Sequence, residues 1–325
     1  MPIFGNVVTL IALGSLFTAP TVGIAADKYP SRPIRFIVPF VAGAGTDITA
    51  RTIAAKMTDS FGQQVIVDNR PGAAGNIGMN LNAKAAPDGY TIALVSASHS
   101  VNPALRKNMP YNLERDLAPI SQVTAQPYSL TVNLSIPAKT VKEMIALMQA
   151  KPDFYTYGSS GTGGLSHLAG VLFGSMAKVN WVHVPFRGGA AGITAMLGGQ
   201  IHSQFATIIG TLPHVKAGKL RWIAVSTPKR SAAAPDLPTI SEAGLPGYDI
   251  SGWYGVLAPA KTPKQIINRL NQSILDALKS PDVGPRFAAD GSEPVGSSPA
   301  EFAAHIKREI AKNAEIVKAA GMTAE

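Results

Sequence analysis

The stretch Ile34-Arg-Phe-Ile-Val-Pro-Phe40, followed at once by Val41-Ala-Gly-Ala-Gly-Thr-Asp47, decides how the chain folds. Its first part is a short apolar run of the kind buried on both faces of a parallel sheet. Its second part is a Gly-rich turn that opens a helix. Helical spacing follows, with Ile48, Ile53, Ala54 and Met57 on one face. The pattern then repeats: a strand at Gln64–Asp68, a Pro/Gly loop from Arg70 to Gly75, a helix over Ile77–Ala86, and a strand at Thr91–Ser96 that runs into Ala97-Ser-His99. Alternating strands and helices of this sort make an α/β fold whose ligands meet the C-terminal ends of parallel strands.

A second unit of the same kind starts near Tyr128. It reads as a strand at Ser129–Asn133, a helix at Val141–Ala150, a strand at Tyr155–Tyr157 and a helix at Leu165–Ala177. Strands at Trp181–Pro185, Ser203–Ala206 and Arg221–Ser226 follow, with helices at Ala190–Leu197 and Pro213–Ala217 between them. The chain returns to an apolar strand at Trp253–Ala258, then to long helices at Pro263–Lys279 and Pro299–Ala320.

Composition bounds the function. The chain has 325 residues, 29 Lys and Arg against 20 Asp and Glu, a net charge of +9, and no Cys. Without Cys there is no disulfide framework, thiolate metal site, catalytic thiol or lipidated N-terminal cysteine. An apolar fraction of 46% is globular, and 325 residues exceed what one core usually serves, so two domains sharing a cleft are expected. The positive charge is scattered, with no basic stripe interleaved with aromatics, which argues against nucleic acid and for a mild attraction of anions. Met1–Ala26 carries no charged side chain, and its apolar run Val7–Phe17 is followed by small residues at Gly23, Ala25 and Ala26. That is the pattern of an export leader cleaved near Ala26, and the run is too short to span a membrane.

Three loops share one design of strand, Gly-rich turn and helix N-terminus: Gly43–Asp47, Gly158–Ser166 and Arg187–Ala190. Free N–H groups and the positive dipole end suit an anion, most simply a carboxylate, and glycine lets the backbone come close to it. Arg187, on a strand-end turn, is the candidate for a bidentate carboxylate pair. Asp47 either caps its helix or orients the loop amides. Phe40, Phe186 and Trp253 stand where strands leave the sheet, as core residues or as walls for a flat ligand. Dinucleotide and P-loop fingerprints are missing, Gly158-Ser-Ser-Gly161 does not extend to a nucleophile elbow, and no His pairs with Glu at metal spacing.

Taken in order, several stretches resemble the substrate-binding receptors of tripartite tricarboxylate transporters, the Bug-type extracytoplasmic receptors. They include Tyr29-Pro-Ser-Arg-Pro-Ile34, Val38-Pro-Phe-Val-Ala-Gly43, Asp68-Asn-Arg-Pro-Gly-Ala-Ala-Gly-Asn-Ile-Gly78 and Lys84-Ala-Ala-Pro-Asp-Gly-Tyr90. Tyr157-Gly-Ser-Ser-Gly-Thr-Gly163, His167-Leu-Ala-Gly170, His183-Val-Pro-Phe-Arg-Gly188 and Glu242-Ala-Gly-Leu-Pro-Gly-Tyr248 continue the series. The resemblance implies a type II periplasmic-binding-protein fold, two α/β domains around a ligand cleft. Its expected bounds are 1–26 for the leader, 27–125 with 250–325 for the first domain, and 126–249 for the second. It implies a carboxylate held by Phe40, Gly43, Ala44, Gly45, Thr46 and Asp47, by Ser159, Ser160, Gly161, Thr162, Gly163 and His167, and by Arg187, Gly188, Gly189 and Ala190. Ser96, Ser98 and His99 would line the first domain's side. The implied protein is periplasmic, monomeric, non-enzymatic and cofactor-free, and its partners are the carboxylate and the permease subunits of such a transporter.

This chain departs from the family's usual pattern at Ala44, Phe186, Arg187, Ala191-Gly192, where a Pro-Ala pair is expected, and Ala195. An Asp is expected at Ala195, so losing it and gaining Phe186 predicts a less polar cleft and a flatter ligand, such as the aromatic dicarboxylate terephthalate. Two other readings stay open: an exported hydrolase pairing Ser98 or Ser160 with His99 or His167, and a partner presenting ligand to a sensor kinase.

Overall fold

The computed structural model describes residues 1–2, 29–43, 45–289, 291–319 and 321–322. From residue 3 onward the expected leader lies outside the described residues, as does Ala44. The first lobe opens with β1 (Ile34–Val38), α1 (Gly45–Phe61), β2 (Val65–Asn69), a 3-10 turn at Ala73–Gly75, α2 (Asn76–Ala83), β3 (Thr91–Ser96) and α3 (Ser98–Leu105). A strand of 17 residues, β4 (Leu117–Asn133), leads into the second lobe. There follow α4 (Val141–Ala150), β5 (Thr156–Ser159), α5 (Leu165–Ala177), β6 (Val182–Pro185), α6 (Gly189–Leu197), β7 (Ser203–Thr207), α7 (Ile208–Lys216), β8 (Leu220–Val225) and α8 (Ile240–Ala243). The chain returns through β9 (Ser251–Pro259) to α9 (Lys264–Leu278), α10 (Val283–Ala289), β10 (Glu293–Pro294) and α11 (Pro299–Ala319).

Sheet order explains how two lobes come from one chain. The strands run β2-β1-β3-β9-β4-β7-β5-β6, with β1 parallel to β2 and β3, and β5 parallel to β6 and β7. The long β4 belongs to both halves. From Leu117 to Pro127 it pairs antiparallel with β9, and from Tyr128 to Asn133 with β7 and β8. The change of partner falls at Pro127, a residue with no N–H to give a ladder. The segment expected as a separate strand at Ser129–Asn133 is therefore the far end of this crossing strand. Its first half, rich in Ser, Gln and Thr, lacks the apolar run that would have flagged it.

Alternation along β1 sets its packing. Ile34, Phe36 and Val38 face α1 and α9, while Ile37 faces the opposite core with Met79 and Val95. Burial on both faces is why this strand reads as a continuous apolar run. It stops at Val38, two residues before the expected end, because Pro39 cannot continue the ladder. The helix α11 packs on α3 and β4 and reaches α5, so it lies against both lobes. Its Phe302 ring sits on Gly255 of β9, where a Cβ would come within 2.1 Å of the ring. Where Pro213–Ala217 was expected, α7 starts earlier, at Ile208, and carries Pro213 inside it. Burial of Ile208 and Thr211 outweighs the helix-breaking residue. No described helix is long and apolar enough to cross a membrane.

Candidate functional site

The C-terminal ends of β1 and β3 from one lobe, and of β5 and β6 from the other, open onto common space. On the first side the chain turns at Gly43, whose φ of 81° is left-handed, and enters α1 at Gly45. Asp47, 4% exposed, ties this turn down. Its Oδ2 accepts the Gly43 N–H at 2.9 Å and Arg51 Nε at 3.0 Å, and its Oδ1 accepts Asn69 Nδ2 at 3.0 Å. Asn69 also donates to the Phe40 carbonyl at 3.1 Å, which fixes the strand exit. Burial acts to raise the Asp47 carboxyl, but the bonds from Arg51, Gly43 and Asn69 outweigh it and hold the group ionised below its usual range. Asp47 therefore orients the loop from behind and does not face the cleft.

The Ser96–His99 turn is held in a similar way. His99 is fully buried, its Nδ1 accepts the Ser96 N–H at 3.1 Å, and its ring lies edge-on to Phe40. Burial pushes the imidazole down to about 4, so it is neutral. The neighbouring turn Ala73–Gly75 has left-handed φ at Ala73 (48°) and Ala74 (54°). Such angles cost non-glycine residues about 1 kcal/mol or more each and are retained where the surroundings dictate them.

On the second side, Ser159 Oγ meets His183 Nε2 at 2.7 Å and accepts the Gly161 N–H at 3.1 Å. His167 Nδ1 accepts the Gly163 N–H at 3.1 Å, and its ring stacks on His183 at 3.8 Å. Burial lowers both imidazoles, His183 to about 4, where the neighbouring His167 adds to the effect. Two facing neutral rings thus brace the loop. Ser160 receives help from Ser166, whose Oγ accepts its N–H at 2.9 Å. The Ser–His pairs of the hydrolase reading do not form, since Ser160 partners Ser166 and His99 partners Ser96.

Two adjoining cavities fill the cleft, of about 890 Å³ and about 710 Å³, and they share Val41, Gly45, Tyr128, Ser160, Arg187, Gly188 and Gly189. Of the residues named from the sequence, Phe40, Gly43, Gly45, Thr46, Ser96, Ser98, Ser160, Arg187, Gly188, Gly189 and Ala190 line one or both. Asp47, His99, Ser159, Gly161, Thr162, Gly163 and His167 do not; apart from the exposed Thr162 they belong to the turns behind the surface. Trp253 lines the larger cavity, whereas Phe186 packs behind the second lobe's loop with Ile193 and Met196. Ala195 is buried in that same cluster, so the two departures that suggested a less polar cleft lie off its surface. Apolar character comes instead from Phe40, Tyr128, Trp253 and Tyr254.

Sequence reasoning missed the crossing-strand residues Gln126, Tyr128, Gly252 and Tyr254 and the turn Pro71–Gly75. Pro71–Gly75 had a signal, a dense Pro/Gly run beside the first strand pair. The crossing-strand residues had none, because only the pairing of β4 with β9 brings them to the cleft.

Helices α1 and α6, from opposite lobes, point their N-termini at this space, and the first-turn N–H groups of a helix lack intrahelical acceptors. Arg187 stands at the boundary of the two cavities, exposed and in no ion pair among the described residues. Among the described residues no three His, Asp or Glu side chains converge as a metal site. The family described as the tripartite tricarboxylate transporter family receptor matches residues 49–322. This chain belongs to that family. The family is one of receptors for small solutes, not of enzymes. BugT from Bordetella pertussis is similar, 36% identical over 322 residues, which is 97% of this chain and 98% of BugT. A protein from R. palustris solved with adipate is 34% identical with a TM-score of 0.84, covering 91% of this chain and 100% of that one. MatC from Rhodopseudomonas palustris, solved with bound malate, is 29% identical with a TM-score of 0.79, covering 89% of this chain and 100% of MatC. The receptor fold, two α/β lobes around a ligand cleft, is shared with these proteins.

Proposed function

We propose that this receptor works in the periplasm as a monomer, closes its lobes on an organic dicarboxylate, and delivers it to the membrane subunits of a tripartite tricarboxylate-type transporter. One observation carries the reading: helix N-termini from opposite lobes open on a single cleft, and Arg187 lines both of its cavities. A ligand with two carboxylates gains contacts to both lobes only when they approach, so binding drives closure. The aromatic walls Phe40, Tyr128, Trp253 and Tyr254 favour a flat body between the acid groups, and terephthalate is the ligand of choice. Its two opposed carboxylates match the kind of ligand carried by the adipate-bound relative.

The test is calorimetric titration of purified protein with malate, citrate, adipate and terephthalate. Terephthalate is expected to bind most tightly. Tight citrate or malate binding without terephthalate binding overturns the aromatic preference, and binding of none of the four overturns the dicarboxylate reading. Loss of uptake of the bound acid on deletion of the gene separates transport from a sensing role.

A further inference from the structure

Gln204 sits on β7, 1% exposed, where it lines the smaller cavity beneath the start of α6. Its Nε2 donates to the carbonyl of Gly189, the first residue of that helix, at 3.1 Å. Its Oε1 has no hydrogen-bond partner. The side chain occupies a slot made by two glycines. A Cβ on Gly192 would lie 2.3 Å from Oε1, and one on Gly158 would lie 3.3 Å from it. A buried amide with one end unsatisfied costs stability, and an apolar side chain would fill the slot more cheaply. The bonded end holds the first carbonyl of α6, the helix whose N-terminus opens on the cleft.

We propose that Gln204 is a positioning residue for anion capture: it clamps the Gly189 peptide so that the N-terminal amides of α6 stay aimed into the ligand cavity. The inference rests on the reading of this cleft as an anion site, but its first test does not. A buried carboxamide suits the task because it donates without bringing charge. A carboxylate there would face the Gly189 carbonyl with lone pairs and set a negative charge under the incoming anion. Once protonated, the same acid would donate an O–H to that carbonyl and restore the clamp.

Three variants, Gln204→Leu, Gln204→Glu and Gly192→Ala, are compared with wild type by amide hydrogen exchange. Exchange over 193–197, whose N–H groups bond within α6, is expected to quicken about fivefold or more in Gln204→Leu and Gly192→Ala, while α5 is unchanged. Affinity is then measured with terephthalate and adipate, and about a fivefold to tenfold loss is expected for Gln204→Leu, one hydrogen bond's worth. For Gln204→Glu, the affinity relative to wild type is expected to recover as the pH falls from about 8 to about 5.5, because burial raises the introduced carboxyl. Unchanged local exchange together with a pH-independent affinity ratio overturns the proposal, as does exchange that rises equally everywhere with a flat ratio. If wild type binds neither acid, the dicarboxylate reading fails, and the exchange arm alone decides whether Gln204 holds the helix start.

Discussion

His99 offers the sharpest quantitative test of how the first lobe's Ser96–His99 turn is held. The ring is fully buried, and its Nδ1 accepts the Ser96 amide, which requires that nitrogen to be unprotonated. Burial depresses the imidazole from 6.5 to about 4. The sign follows directly. Between those values the unfolded chain binds a proton that the folded chain refuses, so the stabilisation is complete above pH 6.5 and is lost as the pH falls toward 4. At about 1.4 kcal/mol per pH unit the full interval amounts to roughly 3 kcal/mol. The assay is urea unfolding of wild type and His99→Asn at about pH 7 and about pH 4.5, where the Asn carbonyl can still accept the Ser96 amide. The variant starts less stable at both pH values, but the extra acid loss seen in wild type should shrink by about 2–3 kcal/mol. The other shifted groups, His167 and His183 among them, are common to both proteins and cancel in the double difference. An identical pH dependence in the variant would show that the imidazole titrates normally and refute the account of a turn held by a neutral ring.

Other consequences are simpler to check. Arg187→Ala should weaken dicarboxylate binding by about 1.5–3 kcal/mol in calorimetry without lowering the melting temperature, because the side chain is exposed and forms no ion pair among the described residues; unchanged affinity would leave the guanidinium in solvent. His167→Ala should change affinity through the Gly163 amide while the protein stays folded, and a large drop in melting temperature with intact binding would make the residue purely structural. Gly255→Ala should destabilise by about 1–3 kcal/mol in urea, since the new methyl meets the buried Phe302 ring; a neutral result would mean that α11 does not press on the hinge strand. Of the tryptophans, Trp253 alone lines the cleft, so ligand-dependent fluorescence should vanish in Trp253→Phe and survive in Trp181→Phe.

Much of the molecule was legible in the residues themselves. The run Ile34–Val38 and the Gly-rich turn after it announce a parallel strand feeding a helix N-terminus, and the structure has both there. The same local grammar marks Ser159–Ser160 before α5 and Arg187–Gly188 before α6. These signals are local: apolar periodicity, glycine where φ is positive, and polar residues at helix starts act over a few neighbours. Harder to read were the crossing strands, because β4 mixes Ser, Gln and Thr with apolar residues and owes its length to partners far away in sequence.

What the sequence alone determined is the repertoire: alternating strands and helices, loops built to present free amides, and a chain too long for one core. Only the tertiary structure decided which parts of those loops face the ligand space. Asp47, His99 and His167 carry suggestive chemistry, yet each accepts a backbone N–H of its own turn instead of lining the cavity. Tyr128 and Tyr254 carry no motif, yet they line the cleft. The reason is geometric. A side chain's direction at a strand end is set by the pleat and the turn, but whether that direction meets cavity or core depends on where the second lobe lies, and that is fixed by the pairing of β4 with β9.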